Sequence, residues 1–318
     1  MRTETVTSAQ NPKIKELLAL QDKSRMRREK SLFIVEGRRE LEHCLQAGYT
    51  VKTLFVCPDI ISAPDLEHII DLISPLRDSS RRGNGIAENR FVTEIYETDK
   101  KTESTTIATA RSDRRGSDCN IIELPAALYN KVAYRGGTEG VIAEVKMKEL
   151  SLDNLKISQN PLVIVLEAVE KPGNLGAVLR SADACGADAV IVCDPLTDIW
   201  NPNLIRSSMG ALFSTQIAVS NSEETISWLK SKDIRILTAQ LQNAKWYYDT
   251  PMTEGTAIVM GTESTGLTQI WRDAADAHIK IPMLGQLDSL NVSVSAAILL
   301  YEAVRQRNSA NDNRTNIL

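Results

Sequence analysis

Three short stretches carry residue types that could do chemistry, and each follows a run of apolar residues. The first is Pro172-Gly173-Asn174-Leu175-Gly176 with Arg180 beyond it; the second is Gly261-Thr262-Glu263-Ser264-Thr265-Gly266; the third runs Ile281-Pro282-Met283, Gly285, then Ser289-Leu290-Asn291-Val292-Ser293. In the first, Pro172 and Gly173 allow a tight turn, Asn174 can cap a helix, and Gly176 lets that helix pack closely or another chain approach. Arg180 lies about two turns further along, on roughly the loop-distal face, so its reach back to a site depends on its length. In the second, glycines at both ends permit close backbone approach to a ligand. Glu263 projects there from the carboxyl end of a strand, where doubly wound sheets bind ligands. In the third, Ser289 or Asn291 sits at a helix N-terminus, where either side chain can cap backbone N–H groups and the dipole favours a carboxylate or phosphate. Taken singly, each stretch is also what an ordinary helix cap looks like.

The elements that must position these stretches alternate through residues 161–308. Leu162-Val163-Ile164-Val165-Leu166 is a continuous apolar run, as expected of a parallel strand covered on both faces. It is followed by helix 174–184, strand 189–193, helix 202–212, strand 215–219, helix 223–230, and strands 234–238 and 256–260. A helix near 268–275, strand 278–281 and a last helix with Val292, Ala296, Leu299, Leu300 and Val304 at helical spacing complete the order. Short connections between alternating strands and helices predict an α/β fold with a doubly wound parallel sheet.

The first half is a smaller α/β unit. Asn11-Pro12 starts a short helix, and strands at 32–35 and 52–57 alternate with helices at 38–47 and 64–74, ahead of a helix over 121–132 and a closing strand over 140–145. Within residues 77–118 the stretches RDSSRRGNGIAENR and TARSDRRGSD are rich in Ser, Arg, Gly and Asn, with sparse apolar residues between them, which reads as a polar insertion. The expected division is residues 1–148 as the first domain, 149–160 as a linker, 161–308 as the second domain and 309–318 as a disordered tail.

Composition narrows the functions. The net charge of −4 argues against a general basic surface, although residues 1–40 hold ten Lys/Arg against six Asp/Glu, with Arg25, Arg27 and Arg28 in the densest cluster. That cluster is a solvated helix face or a phosphate-contacting arm. Five widely spaced cysteines without a CxxC pair read as free buried thiols, and three scattered histidines predict no metal. No run of 18 apolar residues predicts a membrane span, so a soluble, cytoplasmic protein is expected. The second stretch lacks the Lys-Ser/Thr of a Walker loop, and no strand leads into GxGxxG, which disfavours a dehydrogenase.

The three stretches, in this order, resemble the motifs of the SpoU/TrmH family of RNA ribose 2′-O-methyltransferases, of the SPOUT superfamily. The first resembles Asn-x-Gly-x-x-x-Arg, the second Gly-x-Glu-x-x-Gly. The third resembles apolar-Pro-Met, a Gly, Ser-Leu-Asn-Val-Ser, an Ala (Ala296) and a Tyr-Glu pair (Tyr301, Glu302). Residues 201–211, NPNLIRSSMGA, are similar to the segment between the first two motifs, and the first half resembles the ribosomal-protein-like domain that often precedes the catalytic one.

The resemblance implies transfer of a methyl group from S-adenosylmethionine to a ribose 2′-hydroxyl of RNA, a deep trefoil knot in the C-terminal domain, and a homodimer formed through that domain. It implies cofactor contacts at Thr238, Ala239, Gln240, Gly261, Glu263, Ile281, Met283, Leu290, Asn291 and Ser295. It assigns the reaction to Arg180, Asn174, Glu263, Ser289 and Asn291, and an RNA phosphate contact to Arg206. Ribosomal RNA is the expected substrate, with tRNA, or RNA binding without catalysis, as alternatives.

Overall fold

The computed structural model describes residues 2–73, 119–134, 139–262, 265–286 and 289–315. The first unit comprises β1 (Arg2–Thr5), α1 (Pro12–Asp22), α2 (Ser24–Lys30), β2 (Leu32–Glu36), α3 (Arg38–Gln46), β3 (Val51–Val56), α4 (Ala63–Ile73), β4 (Asn120–Glu123), α5 (Ala126–Val132) and β5 (Val141–Lys146). Its sheet order is β1-β4-β3-β5-β2, with β5 antiparallel to both neighbours and the remaining pairs parallel. Asn11 accepts the N–H of Lys13 and Pro12 opens α1, as the sequence predicts.

The helix expected over residues 121–132 is corrected. Ile121 and Ile122 belong to β4, and the helix starts only after Pro125. Proline has no N–H to continue a helix through it, and the β-branched pair before it fits a pleated strand. The insertion at 77–118 lies outside the described residues.

The second unit comprises β6 (Leu162–Glu167), α6 (Pro172–Cys185), β7 (Ala189–Cys193), α7 (Pro202–Ser208), α8 (Ala211–Ser214), β8 (Ile217–Ser220), α9 (Ser222–Ser231), β9 (Arg235–Ala239), β10 (Lys245–Trp246), β11 (Thr256–Met260), α10 (Gln269–Ala274), β12 (Ala277–Lys280) and α11 (Val292–Thr315). The sheet runs β10-β12-β9-β11-β6-β7-β8 and is parallel throughout. Every residue of β6, β7 and β11 is buried, because α6, α7 and α11 pack on one face and α9 and α10 on the other.

Three local expectations change. Helix α6 begins at Pro172 with Lys171 as its cap residue, so Asn174 lies in the first turn rather than capping it; proline's fixed φ suits that first position. The helix expected over 202–212 breaks into α7 and α8, because Met209 and Gly210 adopt left-handed φ values of 50° and 93°. Helix α11 continues to Thr315, through most of the stretch expected as a disordered tail.

The two units share a core. Phe33 of β2 stacks on Trp200 at 4.4 Å between ring centroids, and Tyr49 meets Phe213 edge-on at 5.4 Å. Beside this seam Arg27 is 2% exposed. Its Nη2 pairs with Asp198 at 2.6 Å, its Nε donates to the same carboxylate, and its Nη1 donates to the carbonyls of Leu20 and Gln21. Arg27 therefore leaves the expected phosphate-contacting arm: its donors are spent inside the protein, where an ion pair needs such extra hydrogen bonds to offset desolvation. The segment expected as a linker is likewise pinned. Val219 donates to Leu150 O, Lys156 and Gln216 exchange two hydrogen bonds, and Leu152, Leu155 and Ile157 pack on the sheet's core.

Candidate functional site

The site is built where β9, β11 and β12 end. A cavity of about 400 Å³ opens there, and Ala239, Gln240, Gly261, Ile281, Met283, Ser289, Leu290 and Ser295 line it. Eight of the residues expected to bind the cofactor or act beside it thus meet in one place. A smaller hollow of about 140 Å³ adjoins it, sharing Met260, Gly261, Thr262 and Val292, and takes in Glu167 at the end of β6 and Asn174 in the first turn of α6. All three motif stretches therefore converge on one crevice.

The turn after β11 is shaped by its glycines. A Cβ on Gly261 would lie 2.3 Å from the carbonyl carbon and oxygen of Gly266, so only glycine fits. Gly266 has φ 69° and donates to Thr262 O, while the hydroxyls of Thr262 and Thr265 bond at 2.7 Å. Behind the turn Glu167, buried at the end of β6, accepts the N–H and hydroxyl of Thr268 at 2.9 and 2.5 Å. Glu167 holds the second motif against the first, a role sequence reading missed; an acidic residue closing an apolar strand was its only signal.

At the third stretch, Asn291 rather than Ser289 caps α11. Its Oδ1 accepts both the N–H and the hydroxyl of Ser293, and its Nδ2 donates to Asn174 Oδ1 at 3.2 Å. That last bond joins the first motif to the third across 117 residues. Gly176 serves helix packing: a Cβ there would lie 2.0 Å from Ser207 Oγ on α7.

Helix α11 is anchored at its far end by Glu302. Its carboxylate accepts from Arg305 Nε and Nη2 and from Gln306 Nε2, and Gln306 also engages Thr250 O and the Met252 N–H. The hydrogen bonds from Arg305 hold the Glu302 carboxyl below its usual pKa. A depressed carboxyl stabilises the fold above its unfolded pKa, and the contribution is lost as pH falls through the folded value. Glu302→Gln is thus expected to lower thermal stability at pH 7, by on the order of 1 kcal/mol, with the gap closing below about pH 4; melts across pH check this.

The remaining expected residues stand elsewhere. Thr238 is fully buried and bonds His278 Nδ1 at 2.6 Å instead of lining the cavity. Arg180 is exposed on α6 and lines neither hollow, so the structure does not bring it to the crevice of its own chain. Glu263 lies outside the described residues. Arg206 lines a separate hollow between the two units with Arg39 and Glu36, and Arg25 and Arg28 are exposed on α2, Arg25 paired with Glu29. Among the described residues no His/Cys/Asp/Glu group could hold a metal, and no helix is long and apolar enough to cross a membrane. The five cysteines are free, and burial pushes the Cys193 thiol up to about 12.

The cavity's chemistry suits a nucleoside-sized ligand. Ile279, Ile281, Leu290 and Leu299 give apolar walls, and the strand ends offer backbone groups. Gln240 Oε1, buried and without a hydrogen-bond partner among the described residues, offers an acceptor to an amine entering the cavity.

Comparison with known proteins agrees with this geometry. Residues 161–301 match the model of the SpoU rRNA Methylase family, and residues 11–76 match an MRM3-like substrate binding domain. The 23S rRNA (guanosine-2′-O-)-methyltransferase RlmB of Escherichia coli is 39% identical over 175 residues, 53% of this chain and 72% of that enzyme. A 23S rRNA (uridine(2479)-2′-O)-methyltransferase of Streptomyces viridochromogenes is 34% identical, over 52% of this chain and 60% of its own length, and RlmP of Bacillus subtilis is matched over 59% of its length. The chain thus spans about three fifths of these two relatives. A crystal structure of an RNA 2′-O ribose methyltransferase superposes with TM-score 0.70 at 32% identity, covering 96% of this chain and 99% of that one. The SpoU methyltransferase AviRb of Streptomyces viridochromogenes in complex with AdoMet superposes with TM-score 0.73 at 25% identity, covering 94% and 100%. With RlmB aligned over nearly three quarters of its length and the three motifs gathered at one crevice, this chain belongs to the SpoU rRNA methylase family.

Proposed function

We propose that this protein methylates a ribose 2′-hydroxyl of ribosomal RNA, using S-adenosylmethionine bound in the cavity above β9, β11 and β12. The observation that carries the reading is the convergence of the three motif stretches: Asn174 lines the smaller hollow and accepts from Asn291, whose neighbours Leu290 and Val292 line the larger one. The cofactor, when bound, supplies an already activated methyl group; the protein must hold a weak nucleophile in line and stabilise it as it loses its proton. Backbone at Ala239, Gln240, Gly261, Ile281 and Met283 holds the nucleoside portion. Asn291, fixed by Ser293 and Asn174, orients polar groups at the mouth together with Ser289 and Glu263. Arg180 hydrogen-bonds the 2′-oxygen and the neighbouring phosphate, because a guanidinium keeps its proton at ordinary pH and stabilises developing negative charge. Arg206, Arg25 and Arg28 contact RNA phosphates.

The enzyme acts as a cytoplasmic homodimer whose second copy completes the RNA cleft. On α11, Val294 and Tyr301 are 47% and 49% exposed seven residues apart, which supports a partner-facing side of that helix. The last segment is also threaded as a knot, a reading supported by β12 lying between β9 and the edge strand β10 while α11 returns to pack on α6, β6 and β11. The ribosomal substrate is supported by relatives named for 23S rRNA and by the match of residues 161–301 to the SpoU rRNA Methylase model. Mapping ribose methylation across total RNA from cells with and without the protein tests the reading. One ribosomal position is expected to lose its 2′-O-methyl group, and an unchanged map overturns it. A monomer by sedimentation at assay concentration would overturn the dimer.

A further inference from the structure

We infer that Arg272, outside all three motifs, binds the carboxylate of the cofactor's amino-acid end. This rests on reading the cavity as the S-adenosylmethionine site. Arg272 on α10 lines that cavity beside Thr265 and Gly266, and its Nη2 is 3.9 Å from where a Gly266 Cβ would stand. Among the described residues its guanidinium makes no hydrogen bond or ion pair, and its Nε is shut off from water without a partner. A buried donor in that state costs free energy until an acceptor arrives.

Two cations line this cavity, Arg272 and Lys280, and the lining described holds no Asp or Glu. Lys280 Nζ is already engaged, 4.7 Å over the ring of Trp246. Arg272 is the cation left for an anion. S-adenosylmethionine carries one anionic group, its α-carboxylate, and a carboxylate can accept from Nε and one Nη together, satisfying the orphaned donor. An RNA phosphate is the other source of negative charge, but RNA meets the crevice from outside, whereas this Nε lies within the wall.

Isothermal titration of the full chain with S-adenosylhomocysteine and with 5′-methylthioadenosine, which lacks the amino-acid end, tests the inference. Arg272→Met keeps the stem's length and removes the charge. It is expected to weaken S-adenosylhomocysteine about 10- to 100-fold, the range of a charge-assisted hydrogen bond, and to leave methylthioadenosine within twofold. Arg272→Lys is expected to recover part of the loss. An equal fall for both ligands would show that Arg272 only packs the turn, and no fall for either would assign it to RNA or to nothing; both results overturn the inference. If the unmodified protein binds neither ligand, the reading of the cavity itself fails, and the inference falls with it for that separate reason.

Discussion

Arg180→Lys is expected to lower methyl-transfer turnover about 10²- to 10³-fold at saturating cofactor, the scale on which removal of one well-placed charge-stabilising donor acts. Cofactor affinity should stay within twofold. Lysine keeps the positive charge but loses the planar fork that can donate at once to a 2′-oxygen and to the adjacent phosphate. The split between turnover and affinity follows from position. Arg180 stands six residues beyond Asn174, roughly 9 Å along the helix axis and about 240° around it, exposed and outside the cavity. On the proposed reading it meets RNA rather than the cofactor. Near wild-type turnover would remove it from the chemistry, and a parallel loss of cofactor binding would mean that the substitution disturbs α6 instead.

Gly261→Ala is expected to weaken S-adenosylhomocysteine binding at least tenfold, with a stability loss of about 1–3 kcal/mol or more, as overpacking produces. The added methyl would sit 2.3 Å from the Gly266 carbonyl and 2.5 Å from the Leu267 nitrogen, all main-chain atoms that no rotamer change can clear. The turn must open, and both hollows lose a wall. Gly173→Ala is the matched control, since a Cβ there meets nothing within 4 Å and the residue lies inside α6. Titration and thermal melts of the two variants side by side check the contrast. Normal binding by Gly261→Ala would show that the closed turn is dispensable.

The contrast also marks what could be read from sequence. The parallel sheet was legible because strands covered on both faces are written as unbroken apolar runs, as in Leu162–Glu167 and Thr256–Met260. The strand-loop-helix pattern around Ser289 was legible too, but the cavity-lining positions in it, Ile281, Met283, Leu290 and Ser295, were implied by the resemblance to the family motif rather than by periodicity. Two of the four edge strands lack that signature: β1 is Arg-Thr-Glu-Thr and β10 is two residues long, and neither was anticipated. The pull of Pro125 on its neighbours was underestimated. Properties set by distant partners left no local trace. Gly173 and Gly176 look alike in sequence, yet only Gly176 has Ser207 pressed against it. Arg27 stands among exposed arginines and is buried only because Asp198, 171 residues away, folds over it. Arg272 and Glu167 went unread because their work depends on walls that other segments build.

The stacked rings of Phe33 and Trp200, with the enclosed Arg27–Asp198 bond beside them, tie the first unit to the second. The molecule is a caliper with its jaws fused. If the exposed α2 arginines grip RNA as proposed, the span from that grip to the crevice is set by the folded polypeptide, so the nucleic acid would have to do the bending.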